Sequence, residues 1–267
     1  MTPTALAVPA ALRYTTATHT TATYTTATYT AALATDAADL AAVQRLRHEV
    51  FAVEGGAQLG PAGAAVGLDV DEWDELCDHL LVREESTGEV VGTYRLLPPE
   101  SAAVAGRSYS SGEFDLDRHA TLRPGLVEAG RSCVHPAHRS GAVITRLWAG
   151  VARYVLDRGA THLGGCASVS LSDGGATAAG VWDLVRDRHL SPAALRVVPH
   201  VPFDVERPPR PDRLVVPPLL RAYLKLGARV CGRPAWDGAF GTADFYVLLD
   251  LADVPRPVLD RLTGGTR

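Results

Sequence analysis

Lysine is all but missing from this 267-residue chain: Lys225 stands alone against 25 arginines. Alanine is abundant, and a coding bias accounts for both, so an arginine here is no phosphate ligand merely for being arginine. No run of 18 or more apolar residues occurs, which excludes a membrane-spanning helix. Residues 5–12 are apolar but short, interrupted by Pro9 and without a basic flank, and do not read as a signal peptide. Cysteine is sparse. Cys77, Cys133, Cys166 and Cys231 are widely spaced, which suits reduced thiols of a cytoplasmic protein better than a disulfide framework. A basic excess is lacking too: the net charge of −4 argues against a nucleic-acid partner. Two Cys-x-His pairs (Cys77/His79 and Cys133/His135) hold residue types that zinc accepts, but no C-x-x-C or H-x-x-x-H spacing supports them, and no metal is expected.

What remains is the composition of a globular protein, 46% apolar and 21% charged. Residues 1–34 read as a low-complexity Thr/Ala-rich disordered tail. Thr15–Tyr29 repeats Thr-Thr-Ala-Thr-His/Tyr three times, with little charge or large apolar surface to offset the entropy of ordering. One folded domain is expected over 35–255, with a flexible C-terminus over 256–267. Thr35-Asp36 is a helix N-cap signal, and Leu40, Val43, Leu46 and Val50 follow at helical spacing. The runs 78–83 and 89–97, joined by Ser86-Thr87-Gly88, predict a hairpin. Strands are also predicted over 126–134, 161–169 and 243–251, and helices over 140–158, 176–188 and 217–228. Elements of both kinds interleave without a long linker. The class is α/β (α+β), one central mixed twisted sheet flanked by helices.

Charge is unevenly spread. Residues 36–128 net −11 and residues 129–233 net +8, which suggests one cationic and one anionic ligand unless the halves interleave in space. Four segments stand out chemically. Six acids crowd into residues 69–78, a candidate pocket for a substrate ammonium; a calcium loop is excluded because Trp73 takes a ligand position and no glycine sits where that loop must turn. Arg95, between apolar residues on the hairpin's second strand, is expected to pair with one of those acids. Glu128, at a strand start, is a candidate general base. A regular strand would put Glu128 and Arg131 on opposite faces, so only a bulge would bring both into one cleft. The turn 138–143 before the longest predicted helix could receive a phosphate at the helix N-terminus.

Taken in order, these pieces resemble the GNAT superfamily of N-acyltransferases, and within it the ornithine-lipid branch, the bacterial ornithine N-alpha-acyltransferases. The resemblance rests on Leu46-Arg-His-Glu-Val-Phe51, Asp74-Glu-Leu-Cys-Asp-His-Leu-Leu-Val82, Val91-Gly-Thr-Tyr-Arg-Leu-Leu97 and Ser110-Ser-Gly-Glu-Phe-Asp-Leu116. It continues through Glu128-Ala-Gly-Arg-Ser-Cys-Val-His-Pro136, Gly164-Gly-Cys-Ala-Ser168, Pro217–Gly227 and Asp237 with Phe240, Thr242 and Asp244. It spans roughly residues 40–250. Arg47, Phe51, Asp71, Asp74, Arg95, Glu128 and Arg131 also look like the pattern of acyl-homoserine-lactone synthases. Three features depart from it. The superfamily's phosphate loop is degraded here to Arg139-Ser-Gly-Ala-Val-Ile144, the Pro/Arg-rich stretch 205–213 has no counterpart, and the 176–188 helix contains no tyrosine to protonate a leaving thiol.

The resemblance implies an enzyme moving a fatty, 3-hydroxy acyl group from a thioester to the α-amine of ornithine or a similar amino acid. Another N-acyl amide or lactone synthase, or a GNAT-fold binding protein without chemistry, is the alternative. It places Glu128, Arg131 and Cys133 in the catalytic set, with Cys133 the nucleophile of a rival acyl-cysteine route. Arg47, Phe51, Asp71, Asp74 and Arg95 fall to the substrate. Val134, Arg139, Ser140, Gly141 and Ala142 fall to the donor. No cofactor is held permanently; the co-substrate is acyl carrier protein, through its 4'-phosphopantetheine arm, or acyl-CoA. Arg139, Arg146 and Arg153 would meet the carrier protein. The amphipathic segment 219–230 is a candidate contact with the inner membrane, so the expected location is cytoplasmic or peripheral to that membrane.

Overall fold

The computed structural model describes residues 29–264, Ser140 apart. Hydrophobic alternation and turn chemistry place the strands: β1 (Tyr29–Leu33), β2 (Asp78–Glu84), β3 (Val90–Leu97), β4 (Phe114–Asp115), β5 (Leu126–Val134), β6 (His162–Ser170), β7 (Val198–Pro199), β8 (Arg229–Val230), β9 (Ala235–Asp237) and β10 (Thr242–Asp250). The helices are α1 (Ala37–His48), α2 (Pro61–Ala64), α3 (Pro99–Ala105), α4 (Ala142–Asp157), α5 (Ala176–Arg188), α6 (Pro218–Lys225) and α7 (Arg256–Thr263). The main sheet runs β1-β2-β3-β5-β6-β10-β8, with β9 on the far side of β10, while β4 and β7 form a separate two-stranded ribbon. Every pairing in it is antiparallel except β5 with β6.

Local causes are visible at each end. Asp36 caps α1 by accepting the Asp39 N–H at 2.8 Å. In α4, Val143, Leu147, Val151 and Val155 recur at helical spacing and are buried against the sheet. Gly92 on β3 lets that helix settle close: a Cβ there would lie 2.6 Å from Val143 Cγ1. The core is continuous across the sheet, from Leu80 and Val91 through Val127 and Leu163 to Phe245 and Val247.

The boundaries differ from the sequence reading in two places. Tyr29–Leu33, taken as the end of the tail, is an edge strand paired along its whole length with β2, and Tyr29 and Ala31 pack on the core. Its Thr/Ala composition resembles the repeat before it, so only the partner strand distinguishes it. The tail expected over residues 1–28 lies outside the described residues. Residues 256–263, expected to be flexible, form α7, which lies against α4 and packs Val258 and Leu259 on the core. The segment 219–230 spends its apolar side on the core as well: Leu220 and Tyr223 are buried, and Leu219 and Leu224 pack beside them. No helix among the described residues is long and apolar enough to cross a membrane.

The feature that positions the site is a splay. β5 and β6 share register only over Leu126–Glu128 and His162–Gly164, then part. Gly165 stands at the parting with φ 149°, and a Cβ there would lie 2.1 Å from the Ala129 carbonyl oxygen. A Gly165→Ala substitution must therefore displace backbone rather than a flexible side chain. It is expected to cost about 1–3 kcal/mol, read as a lower urea midpoint. A midpoint equal to wild type would show that the strands part without resistance.

Candidate active site

Three arginines and three aspartates interlock beside the splay. Arg47, fully buried on α1, donates from Nε to Asp69 (2.8 Å) and from Nη1 and Nη2 to the two oxygens of Asp74 (2.9 and 3.0 Å). Its Nη2 also meets the Asp69 carbonyl at 2.5 Å. Arg95 on β3 reaches Asp71 (2.5 Å) and Asp74 (3.0 Å). Arg131 on β5 donates to Asp69 (3.0 Å), Asp71 (3.2 Å) and the Tyr109 hydroxyl (2.8 Å). Gln44 supplies one more donor to Asp74 at 2.9 Å. Each acid is thus held by two guanidinium groups, the condition under which buried charges are tolerable. Burial alone would raise the Asp74 carboxyl; the Arg47 hydrogen bonds and charge, with Arg95 and Gln44, outweigh it and hold the group at about 2. His79 shares the layer. Its Nε2 lies 3.0 Å from the Asp74 carbonyl and so carries the proton, and burial keeps the ring neutral.

A bulge makes the arrangement feasible. Two residues of β5, Arg131 and Ser132, oppose Tyr94 alone on β3, and Arg131 has φ 48°. Glu128 and Arg131 consequently line the same cleft, of about 200 Å³, although they lie three residues apart on one strand. Tyr94, Arg95, Tyr109, Cys166, Tyr223, Asp237 and Asp244 share it, and Phe51 with Phe240 (ring centroids 5.7 Å apart) forms one lip. The Arg131 guanidinium lies over the Phe240 ring at 4.7 Å.

Glu128 stands at the apex of the splay. Its carboxylate accepts the N–H groups of Tyr109 (2.8 Å) and Ser110 (2.7 Å), which fastens the turn 109–112 to β5. Burial raises its pKa, and the hydrogen bonds from Ser110 and Tyr109 oppose that rise.

A profile of the acetyltransferase (GNAT) domain matches residues 46–149. The L-ornithine N(alpha)-acyltransferase of Rhizobium meliloti is 33% identical over 83% of this chain and 79% of its own length. That of Rhodobacter capsulatus is 37% identical, over 81% and 88%. The chain belongs to the L-ornithine N(alpha)-acyltransferase family. It is an acyltransferase that uses an acyl donor as co-substrate. A solved CoA-dependent acyl-homoserine lactone synthase superposes with a TM-score of 0.51 at 21% identity, over 85% of this chain and 82% of that one, which shows a shared fold.

The structure distributes the expected site residues of this acyltransferase unevenly. Glu128, Arg131, Arg95 and Phe51 line the cleft. Asp71 is partly open beside it, bonded to Arg95 and Arg131. Arg47 and Asp74 are sealed into the ion lattice, so neither has a face left for an amino acid. Cys133 is buried outside the lining, and burial pushes its thiol up to about 12, which removes the thiolate that an acyl-cysteine route needs.

On the donor side, Val134 is buried, and its carbonyl accepts from Arg139 Nε at 3.2 Å. Arg139 is gripped by both oxygens of Glu54 at 2.6 Å. Gly141, with φ 89°, and Ala142 open α4, while Ser140 lies outside the described residues. Of the arginines expected at a carrier protein, Arg153 pairs with Asp157 on its own helix. Asp69, Tyr109, Ser110, Glu113, Asp237 and Asp244 complete the neighbourhood without having been singled out as site residues. Asp69 had a signal, the acid run, but nothing in that run ranks one aspartate above the next. Glu113, Asp237 and Asp244 come from separate elements and meet only in three dimensions.

Two outcomes follow from this geometry. Asp74 is ionised in the fold at a pH where it would be protonated in the unfolded chain, so its contribution is complete above about pH 4 and is lost as pH falls toward about 2. Urea midpoints across that interval are expected to fall by the equivalent of about 2 kcal/mol, and Asp74→Asn is expected to remove that part of the slope; an unchanged slope would exclude the lattice as its source. Cys133→Ala is expected to leave kcat within about twofold of wild type, because a protonated buried thiol takes no part in transfer. A loss of 100-fold or more would restore the acyl-cysteine route.

Proposed function

We propose that this enzyme moves a fatty acyl group, 3-hydroxylated, from the thioester of acyl carrier protein to the α-amine of ornithine, giving a lyso-aminolipid. The observation that carries the reading is the likeness to several L-ornithine N(alpha)-acyltransferases over more than four-fifths of the chain, at 31–37% identity. The cleft supports it chemically. An α-amine is mostly protonated near neutral pH and must lose a proton before it attacks. Glu128 is the base, directly or through a water, and its raised pKa suits the task.

Beyond Glu128, β5 stays paired with β3 on one side but has no partner strand on the β6 side, so backbone N–H groups on that open edge are the candidate donors to the thioester oxygen as charge develops there. Arg95 and Arg131, already fixed by Asp71, orient the acceptor's carboxylate from the cleft wall. The amine adds to the thioester carbon, the C–S bond breaks, and the thiol leaves with the donor arm. The hydroxyls of Tyr94 and Tyr223, 2.7 Å apart in the cleft wall, are candidate proton donors to the departing thiolate. The arm approaches across the turn before α4, where Arg139 must exchange Glu54 for the donor's phosphate. Acyl carrier protein is preferred over acyl-CoA because the Arg139–Ile144 loop is abbreviated and the 129–233 half of the chain is basic.

Mass spectrometry of lipids from cells producing the wild-type chain is expected to show a new acyl-ornithine. With Glu128→Gln that species is expected to vanish, and kcat in vitro to fall about 10²–10⁴-fold with the donor KM unchanged. A variant with near-normal kcat would assign the proton to another base, and an acyl-amide with a different head group would replace ornithine as the acceptor.

A further inference from the structure

Two sets of acids that differ in kind lie at or beside the cleft. Asp69, Asp71 and Asp74 have their charge matched by Arg47, Arg95 and Arg131. Glu113, Asp237 and Asp244 do not: among the described residues, none of them has a cationic partner. Asp244, only 4% exposed, takes a hydrogen bond from the Thr242 hydroxyl at 2.7 Å. Asp237 accepts the N–H groups of Ala239 (2.9 Å) and Phe240 (3.1 Å). Glu113 receives the Cys166 thiol at 3.8 Å and shares a hydrogen bond with the Asp244 carboxyl. Asp237 and Asp244 line the same cleft as Glu128. An oxygen of Glu113 and one of Asp244 lie, with Cys166 Sγ, within 4.8 Å of one another.

Like charges gathered in a half-dry wall are unfavourable unless something neutralises them. Burial, then the charges of Asp244 and Asp237, push the Glu113 carboxyl up to about 9, and Asp244 is raised with it. With the cleft empty the pair is neutralised in part by a proton. A guest cation can take that proton's place and release it to solvent.

Position decides which cation. Glu128 is hydrogen-bonded to the Ser110 N–H (2.7 Å), the Ser110 hydroxyl touches Cys166 Sγ (3.3 Å), and Cys166 touches Glu113. Two small residues, Ser110 and Cys166, thus link the base that acts on the α-amine to Glu113. Ornithine carries its second amine three methylenes beyond the α-carbon. That amine must stay protonated and idle while the first one reacts.

We infer that Glu113, Asp237 and Asp244 receive the side-chain ammonium of the acceptor and set the enzyme's preference for a dibasic amino acid. The inference rests on the assignment of ornithine above and deepens it. A wall of buried carboxylates also rejects uncharged analogues, since an apolar chain end would leave those groups unpaired.

The test compares ornithine with norvaline, which has the same carbon chain without the terminal amine, together with 2,4-diaminobutyrate and lysine. Wild-type kcat/KM is expected to favour ornithine over norvaline by about 100-fold or more. In Asp244→Asn and Glu113→Gln, which relieve repulsion and should keep the fold, that ratio is expected to drop at least tenfold. The drop should come through a raised ornithine KM, with norvaline turnover preserved. Variants that keep the full ratio while wild type acylates ornithine would overturn the inference and leave the functional reading intact. A wild-type enzyme that acylates neither amino acid would overturn both. Two carboxylates and a thiol also suit a divalent metal, so stoichiometric zinc lost in Asp244→Asn, with acceptor preference unchanged, would likewise overturn it.

Discussion

Three guanidinium groups closed against three carboxylates hold this active site together. The desolvation cost of such a group is met only when every charge has a partner and nearly every donor an acceptor. Here α1 contributes Arg47, β3 contributes Arg95, β5 contributes Arg131, and the loop between them contributes the acids. Four segments far apart in the chain are thereby fixed to one another. The lattice also consumes its own charge, so the electrostatics of the cleft are left to Glu128, Glu113, Asp237 and Asp244. A neutral scaffold surrounding an acidic interior suits an acceptor that arrives with an ammonium group.

The splay between β5 and β6 performs the complementary task. Parallel pairing stops after Glu128, and that carboxylate therefore stands where a sheet opens into a gap. Two N–H groups fasten the turn 109–112 to Glu128, and Glu113 follows directly on that turn. The base and the unmatched acids consequently share one rigid support.

Much of this was legible in the sequence because periodic patterns report local structure. The hairpin, β5, β6, α4, α5 and β10 all lie where alternation or helical spacing puts them. The edge strand β1 and the terminal helix α7 were not legible. Their residues become ordered through contacts with β2 and α4, and neither composition nor period distinguishes them from tail. In the site, Glu128, Arg131 and Arg95 line the cleft, and the bulge that unites the first two is the one their odd spacing on a strand requires. Asp74 and Arg47 were given to the substrate because a run of acids does not show which of its members will be saturated by arginine. Cys166 lines the cleft and Cys133 does not, a distinction that the sequence does not carry. The meeting of Glu113 with Asp237 and Asp244 is a property of topology, since β10 is brought beside β6 from the other end of the chain.

The extra residue in β5 also limits how this chain can change length. Insertions and deletions are tolerated in surface loops, but side chains on a strand alternate in direction. Removing one residue between Gly130 and Cys133 would leave a single residue opposite Tyr94, while Gly130 kept its place opposite Arg95 and Cys133 its place opposite Thr93, so the strand would be regular and its flanks would keep their faces. The one residue left would share the face of Tyr94, opposite to that of Arg95, and the aspartates would lose the Arg131 guanidinium. A single codon lost there would thus exchange the chemistry of the cleft wall while leaving the composition of the strand almost unaltered.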